Sequence, residues 1–157
     1  PQRRHCSRAP QDPVIILDAY AVLALLKGER AAPLMAQLLD EDDEARLTAL
    51  GVAEIIDHLV RLVGSSEDDA ALDIAQLGLA DAVPVDAALA MRSGLLRARH
   101  YRRRHRAVSL ADCVAAEAAR THEAALATAD PHLLDLCHDE AIDRVVLPDS
   151  TGSLWSH

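Results

Sequence analysis

Val14, Ile15, Ile16 and Leu17 form an unbroken apolar run, rich in β-branched side chains, that stops on a charged residue, Asp18. So short a run, with no polar alternation, reads as a strand covered on both faces, the usual condition of a parallel strand in an α/β sheet. Parallel neighbours cannot be joined by tight hairpins, so helical crossovers must lie between them. The sequence supplies these. Residues 19–26 read as a helix closed by Lys27 and Gly28, a cation followed by the residue best suited to a left-handed cap. Pro33 fits the first turn of a second helix running to about Asp43. Val52, Ile55, Ile56, Leu59, Val60 and Val63 then recur at helical spacing up to Gly64. Ser65 and Ser66, with Asp68 and Asp69 three residues on, offer capping boxes for a helix ending near Gly78. Asp86 can cap a helix to about His100, and Ser109 with Asp112 opens an Ala-rich helix to about His122. Asp130-Pro131 starts a last helix to about Cys137. Further strands are expected at residues 47–49, at Val83, Pro84 and Val85, at 125–128 and at 145–147. The alternation predicts an α/β fold, a three-layer sandwich with a central parallel sheet.

A chain of 157 residues suits one domain, expected over residues 13–148 between a flexible segment 1–12 and a polar tail 149–157. There is no Phe, and the apolar mass is Ala, Leu and Val, which favours closely packed helices over an aromatic-rich β-sandwich. The longest apolar run, residues 21–26, is far short of the roughly 20 residues of a bilayer span. The opening residues carry no hydrophobic stretch of the signal-peptide kind. Cys6, Cys113 and Cys137 are odd in number and form no C-x-x-C pair, arguing against a disulfide framework or zinc site and for a reducing, cytoplasmic setting. The net charge of −9 hides a dense basic segment. Within it Arg99, Arg102, Arg103, Arg104 and Arg106 are candidates for contact with RNA phosphates, since a net acidic protein can still meet a polyanion locally. The acidic run 40–44 reads as a solvated helix end.

Asp18, Glu54, Asp112 and Asp130 share a position: each is expected at the start of a helix that follows a strand or strand-like segment. Acids there stabilise a helix by about 0.3–1 kcal/mol through its dipole and need no further role. In a parallel sheet, however, ligands gather outside the carboxyl ends of the strands. Four carboxylates meeting at that edge would repel and take up protons unless a cation sat among them. Hard oxygen donors at an open site suit magnesium or manganese, and a metal pair so held can activate water and stabilise the leaving oxygen of a phosphodiester. A phosphatase of the haloacid dehalogenase type also places an Asp after its first strand, but needs a second Asp where Tyr20 stands. The His residues form no metal-ligand spacing.

The residues around the acids carry a family resemblance. Val14-Ile-Ile-Leu-Asp18-Ala-Tyr-Ala-Val-Leu, Gly51-Val-Ala-Glu54-Ile, Val108-Ser-Leu-Ala-Asp112-Cys and Leu126-Ala-Thr-Ala-Asp130 resemble, in order, the four acidic motifs of PIN-domain ribonucleases. The short single-domain form is similar to the VapC-like toxins of type II toxin-antitoxin pairs, and the match runs from about Val14 to Leu147. The resemblance implies a PIN fold and Mg²⁺- or Mn²⁺-dependent endoribonuclease activity. It implies Asp18, Asp112 and Asp130 as metal ligands, with Glu54 completing the set directly or through water, and Thr128 orienting a ligand or water. It further implies a cognate antitoxin protein, a homodimer and no membrane association. Two positions depart from the family pattern. Tyr20 stands where Ser or Thr is frequent two residues after the first acid, and Gly51 where Asn is frequent three before the Glu. Loss of such small polar groups keeps a second reading open, a catalytically weak PIN-like module that binds RNA or protein.

Overall fold

The computed structural model describes residues 14–40 and 44–156. The segment 1–12, Cys6 and residues 41–43 of the acidic run lie outside the described residues. β1 (Val14–Leu17), β2 (Glu44–Arg46), β3 (Ala125–Thr128) and β4 (Arg144–Val146) form one sheet in the order β2-β1-β3-β4. Every pairing is parallel. β1 is therefore an inner strand, and its alternating side chains are shared between two cores. Ile15 and Leu17 join Val22, Met35 and Ile55 on one face; Ile16 joins Leu96, Val114, Leu126 and Leu133 on the other. The helices sort the same way. α1 (Ala19–Leu26), α2 (Ala32–Asp40), α3 (Ala49–His58) and α4 (Glu67–Gln76) cover the first face, and α5 (Ala87–His100), α6 (Leu110–His122) and α7 (Pro131–Asp139) the second. This is the three-layer α/β sandwich that the sequence predicts. Strands of three or four residues suffice because their side chains are buried on both sides, each fully covered Ile or Leu contributing about 1.5–3 kcal/mol.

Local chemistry explains most of the helix starts. Ser66 accepts from the Asp69 N–H, Asp86 from Leu89, and Asp130 from His132, each within 3.1 Å. Ser109 and Asp112 exchange both bonds of a capping box. Gly64 and Gly78 close their helices with positive φ, as left-handed caps require. Buried Ala115, Ala116, Ala118 and Ala119 give α6 a slim profile that lets it approach the sheet and α5 closely.

Three expectations are corrected. The strand near residues 47–49 lies earlier, at Glu44–Arg46: Thr48 accepts from the Gly51 N–H at 3.0 Å and so caps α3, which makes Ala49 helical. Val83, Pro84 and Val85 do not form a strand. Val83 alone pairs, in one parallel bridge to Thr48, and Pro84 has no N–H with which to continue the ladder. The apolar stripe expected to reach Val63 ends earlier, with Val63 53% exposed. Residues Leu59–Val63 form a π-helical turn, whose extra residue rotates everything after Leu59 off the stripe.

Candidate active site

The register of the inner strands sets the first contact of the site. Leu17 pairs with Ala127, so the residues just beyond, Asp18 and Thr128, stand side by side at the carboxyl edge. The Thr128 hydroxyl donates to Asp18 Oδ2 at 2.7 Å and accepts from the Asp130 N–H at 3.0 Å, joining two acids 112 positions apart through one buried side chain. Asp18 occupies the N-cap position of α1, yet its side chain caps nothing. A capping role therefore does not account for it. Asp112 and Asp130 do cap: Asp112 Oδ2 accepts from the Ser109 N–H at 2.6 Å and Asp130 Oδ1 from the His132 N–H at 2.8 Å. Glu54 lies in the second turn of α3, not the first, because the helix already starts at Ala49. Packing of α3 against α6 turns it toward Asp112.

All four acids line one cavity of about 590 Å³, together with Tyr20, Asp57, His58, Arg61, Asp149 and Ser150 among others. Their electrostatics are coupled. Burial, then the neighbouring Asp112, Asp130 and Glu54 charges, push Asp18 up to about 7 against the opposing pull of the Thr128 hydrogen bond. Burial chiefly raises Asp112, with Asp130 adding and the Ser109 bonds opposing. Glu54 is raised by burial and then by Asp112. Such mutual elevation is what carboxylates show when they share a low-dielectric site without a counter-charge.

The donor chemistry, carboxylate oxygens alone, suits a hard divalent cation. Among the described residues, no three His, Cys, Asp or Glu side chains converge closely enough to enclose one ion. The reason is visible in the bonds above: Asp18, Asp112 and Asp130 each have an oxygen turned to a hydrogen-bond donor of the fold. An open site is a different matter. Magnesium keeps several waters and is held by one or two carboxylates plus substrate phosphates, so separated acids with free oxygens fit it without a closed cage.

The two departures from the family pattern resolve differently. Gly51 is buried under the Thr48 cap and does not line the cavity. Tyr20 does line it. Its hydroxyl is buried, faces Glu29 and Asp149, and makes no hydrogen bond of good geometry; burial and then those two acids push its ionisation up.

The arginines lie elsewhere. Arg106 pairs with Asp139 at 2.6 Å and Arg99 with Glu140 at 3.4 Å, at the end of α7 remote from Asp130. A nine-residue helix separates those ends by about 13 Å. Arg102 and Arg106 close a tight turn by backbone bonds, with Arg103 and Arg104 exposed at its tip. Arg99, His100, Arg102, His105 and Arg106 line a separate cavity of about 300 Å³. Sequence reasoning missed Asp57, His58 and Arg61. The signal was available for Asp57 and Arg61, which follow Glu54 at i+3 and i+7, the spacing of one helical face. It was absent for Asp149, which the chain beyond β4 brings back to the cavity rim. That segment is anchored by the Trp155 indole, which donates to Asp135 at 3.0 Å and lies 5.0 Å from the Arg144 guanidinium.

A parallel α/β sheet whose inner strands end on acids, gathered with two more in one cleft, defines a class of α/β protein built to bring a ligand to its carboxyl edge. The chain belongs to the PIN-domain family, whose profile matches residues 15–139. PIN domains are generally nucleases. No curated protein matches the chain by sequence. Its fold is similar to VapBC2 of Rickettsia felis, bound to a promoter DNA fragment, at 13% identity over 84% of this chain and 97% of that one, TM-score 0.62. It is also similar to FitAcB of Neisseria gonorrhoeae, at 19% identity over 83% and 96%, TM-score 0.60. A third similar structure is a sarcin-ricin-loop-cleaving VapC toxin of Mycobacterium tuberculosis, at 18% identity over 70% and 84%, TM-score 0.55. Among the described residues no helix is long and apolar enough to cross a membrane.

Proposed function

We propose that this chain is a divalent-metal-dependent endoribonuclease and the toxin of a toxin-antitoxin pair, cytoplasmic, homodimeric and held inactive by a cognate antitoxin protein. The observation that carries the catalytic part is the convergence of Asp18, Glu54, Asp112 and Asp130 on one cavity, with the first three raised by burial and by one another. The toxin assignment is supported by fold neighbours that are toxin-antitoxin complexes or a toxin. Asp18, Asp112 and Asp130 would hold Mg²⁺ or Mn²⁺, with Glu54 completing the set directly or through water. A bound ion would supply the positive charge that activates a water toward phosphorus and stabilises the leaving oxygen. Thr128 fixes Asp18 and the Asp130 backbone relative to each other. Arg99, Arg102, Arg103, Arg104 and Arg106, grouped about one helix length from the acids, would take RNA phosphates outside the cleavage site.

The test is cleavage of RNA with Mn²⁺ or Mg²⁺. Asp18→Asn and Asp112→Asn should each abolish it with the fold retained, and undiminished cleavage in chelator would defeat the metal mechanism. A second reading, a weak or inactive module that binds RNA or protein, is favoured by the failure of any three acids to enclose an ion among the described residues. RNA binding without metal-dependent cleavage would select it.

A further inference from the structure

The cavity poses an electrostatic problem for any polyanion. Asp18, Glu54, Asp57, Asp112, Asp130 and Asp149 all line it, and among the described lining residues the single Arg or Lys is Arg61. We infer that Arg61 is the residue that binds the substrate phosphate at the mouth of this site, and that Asp57 is the positioning residue that aims it. This rests on the ribonuclease reading above.

Three features carry the inference. Arg61 belongs to the π-helical turn Leu59–Val63, and such turns occur disproportionately at functional sites because the inserted residue re-aims side chains. Its guanidinium is already oriented: Nε donates to Asp57 Oδ1 and Oδ2 at 3.1 and 3.2 Å, and Nη2 donates to Oδ2 at 2.8 Å. Of the five N–H donors of an arginine, this arrangement occupies Nε–H and one on Nη2. The remaining Nη donors form a free fork, the geometry that recognises phosphate oxygens in pairs. Finally, the side chain is 64% exposed, so RNA can reach it without displacing any part of the core. Asp57 could serve fold stability by pairing with Arg61, but both groups are mostly in water, where such pairs add little. The competing cations are engaged elsewhere, Arg99 and Arg106 with Glu140 and Asp139.

The experiment measures the salt dependence of binding to labelled polyuridylate RNA in the Asp18→Asn background with Mn²⁺, and cleavage rates in the otherwise native chain. Arg61→Gln should reduce the slope of log affinity against log salt by about 0.7, the increment of one single-strand phosphate. It should weaken binding and kcat/KM by about 10- to 100-fold, the range for a hydrogen bond between charged groups. Arg61→Lys should restore the slope but not the full rate, because an ammonium lacks the fork. Lys27→Gln, which removes an exposed cation away from the cavity, should alter neither. Asp57→Asn separates positioning from charge. Removing an acid beside RNA should by charge alone strengthen binding, whereas loss of the aim lowers kcat/KM. Faster cleavage by Asp57→Asn overturns the positioning role. A native chain that binds and cuts RNA, with Arg61→Gln unchanged in slope and rate, overturns Arg61 and leaves the nuclease reading intact. A native chain that neither binds nor cuts RNA overturns both.

Discussion

Replacing Asp18 with Asn should stabilise the metal-free protein at pH 8, although it removes a buried group bonded to the fold. In the folded state the Asp18 carboxyl is raised from 3.8 to about 7. Between those values the native protein holds a proton that the unfolded chain has released, so stability falls as pH rises through the window and levels off above it. At 1.36 kcal/mol per unit, the charged form costs the native state about 4 kcal/mol at pH 8. Asn carries no charge, and its carbonyl oxygen can still accept the Thr128 hydroxyl where Oδ2 does now. The expected gain is therefore a few kcal/mol at pH 8. For a chain of this length that is a rise in Tm of roughly 8–16 °C, shrinking to nothing near pH 4. Thermal unfolding in chelator across that range, followed by circular dichroism, provides the measurement. A variant no more stable than the native protein at pH 8, with its secondary structure intact, would refute the claim that the buried carboxylates crowd one another.

Other outcomes follow from the same geometry. Mn²⁺ at a hundred times its dissociation constant should add about 2.7 kcal/mol to the native protein, read as a higher Tm, and much less to Asp18→Asn or Asp112→Asn; an equal shift in all three would place the ion elsewhere. Thr128→Val strands the Asp130 N–H and leaves Asp18 unbonded, which should cost about 1–3 kcal/mol in denaturant unfolding and about 10- to 100-fold in cleavage, with Thr128→Ser recovering most of both. Ser109→Ala removes one half of the α6 capping box and should cost about 1 kcal/mol. Replacing Arg102, Arg103 and Arg104 with Ala should flatten the salt dependence of RNA affinity; an unchanged slope removes that turn from the RNA path.

The elements nearest the site were the most legible. Val14 to Leu17 announces a buried strand because no polar residue interrupts it, and Ser109 with Asp112 announces a helix start because both capping bonds are local. The carboxylates were found through their positions after strands and at helix beginnings, which the periodicity alone supplies. What escaped depends on tertiary approach or on an irregular turn. Nothing local marks Thr48 and Val83 as bridge partners rather than strand members. The π-turn at Leu59–Val63 looks like continued α-helix in its apolar spacing, so the exposure of Val63 and the placement of Arg61 are invisible until the turn is seen. The arginine cluster was legible as charge but not as geometry, because Asp139 and Glu140, which tie it to the far end of α7, lie more than thirty residues away in sequence.

An acidic cleft of this kind is tolerable because of where the sheet puts it. The starts of α1, α6 and α7 all open onto the cavity, through Asp18 and Ala19, Asp112, and Asp130 and Pro131. Each helix start carries roughly half a positive charge. Asp112 and Asp130 use that charge directly, accepting N–H groups of the backbone. Asp18 bonds only to the neutral hydroxyl of Thr128, and it is the most buried of the set, which is why its carboxyl is pushed up to about 7. Asp18 is thus the acid whose charge the fold compensates least. A divalent cation seated beside it would relieve the largest electrostatic cost in the molecule, so metal affinity and the instability of the metal-free protein are two readings of the same buried charge.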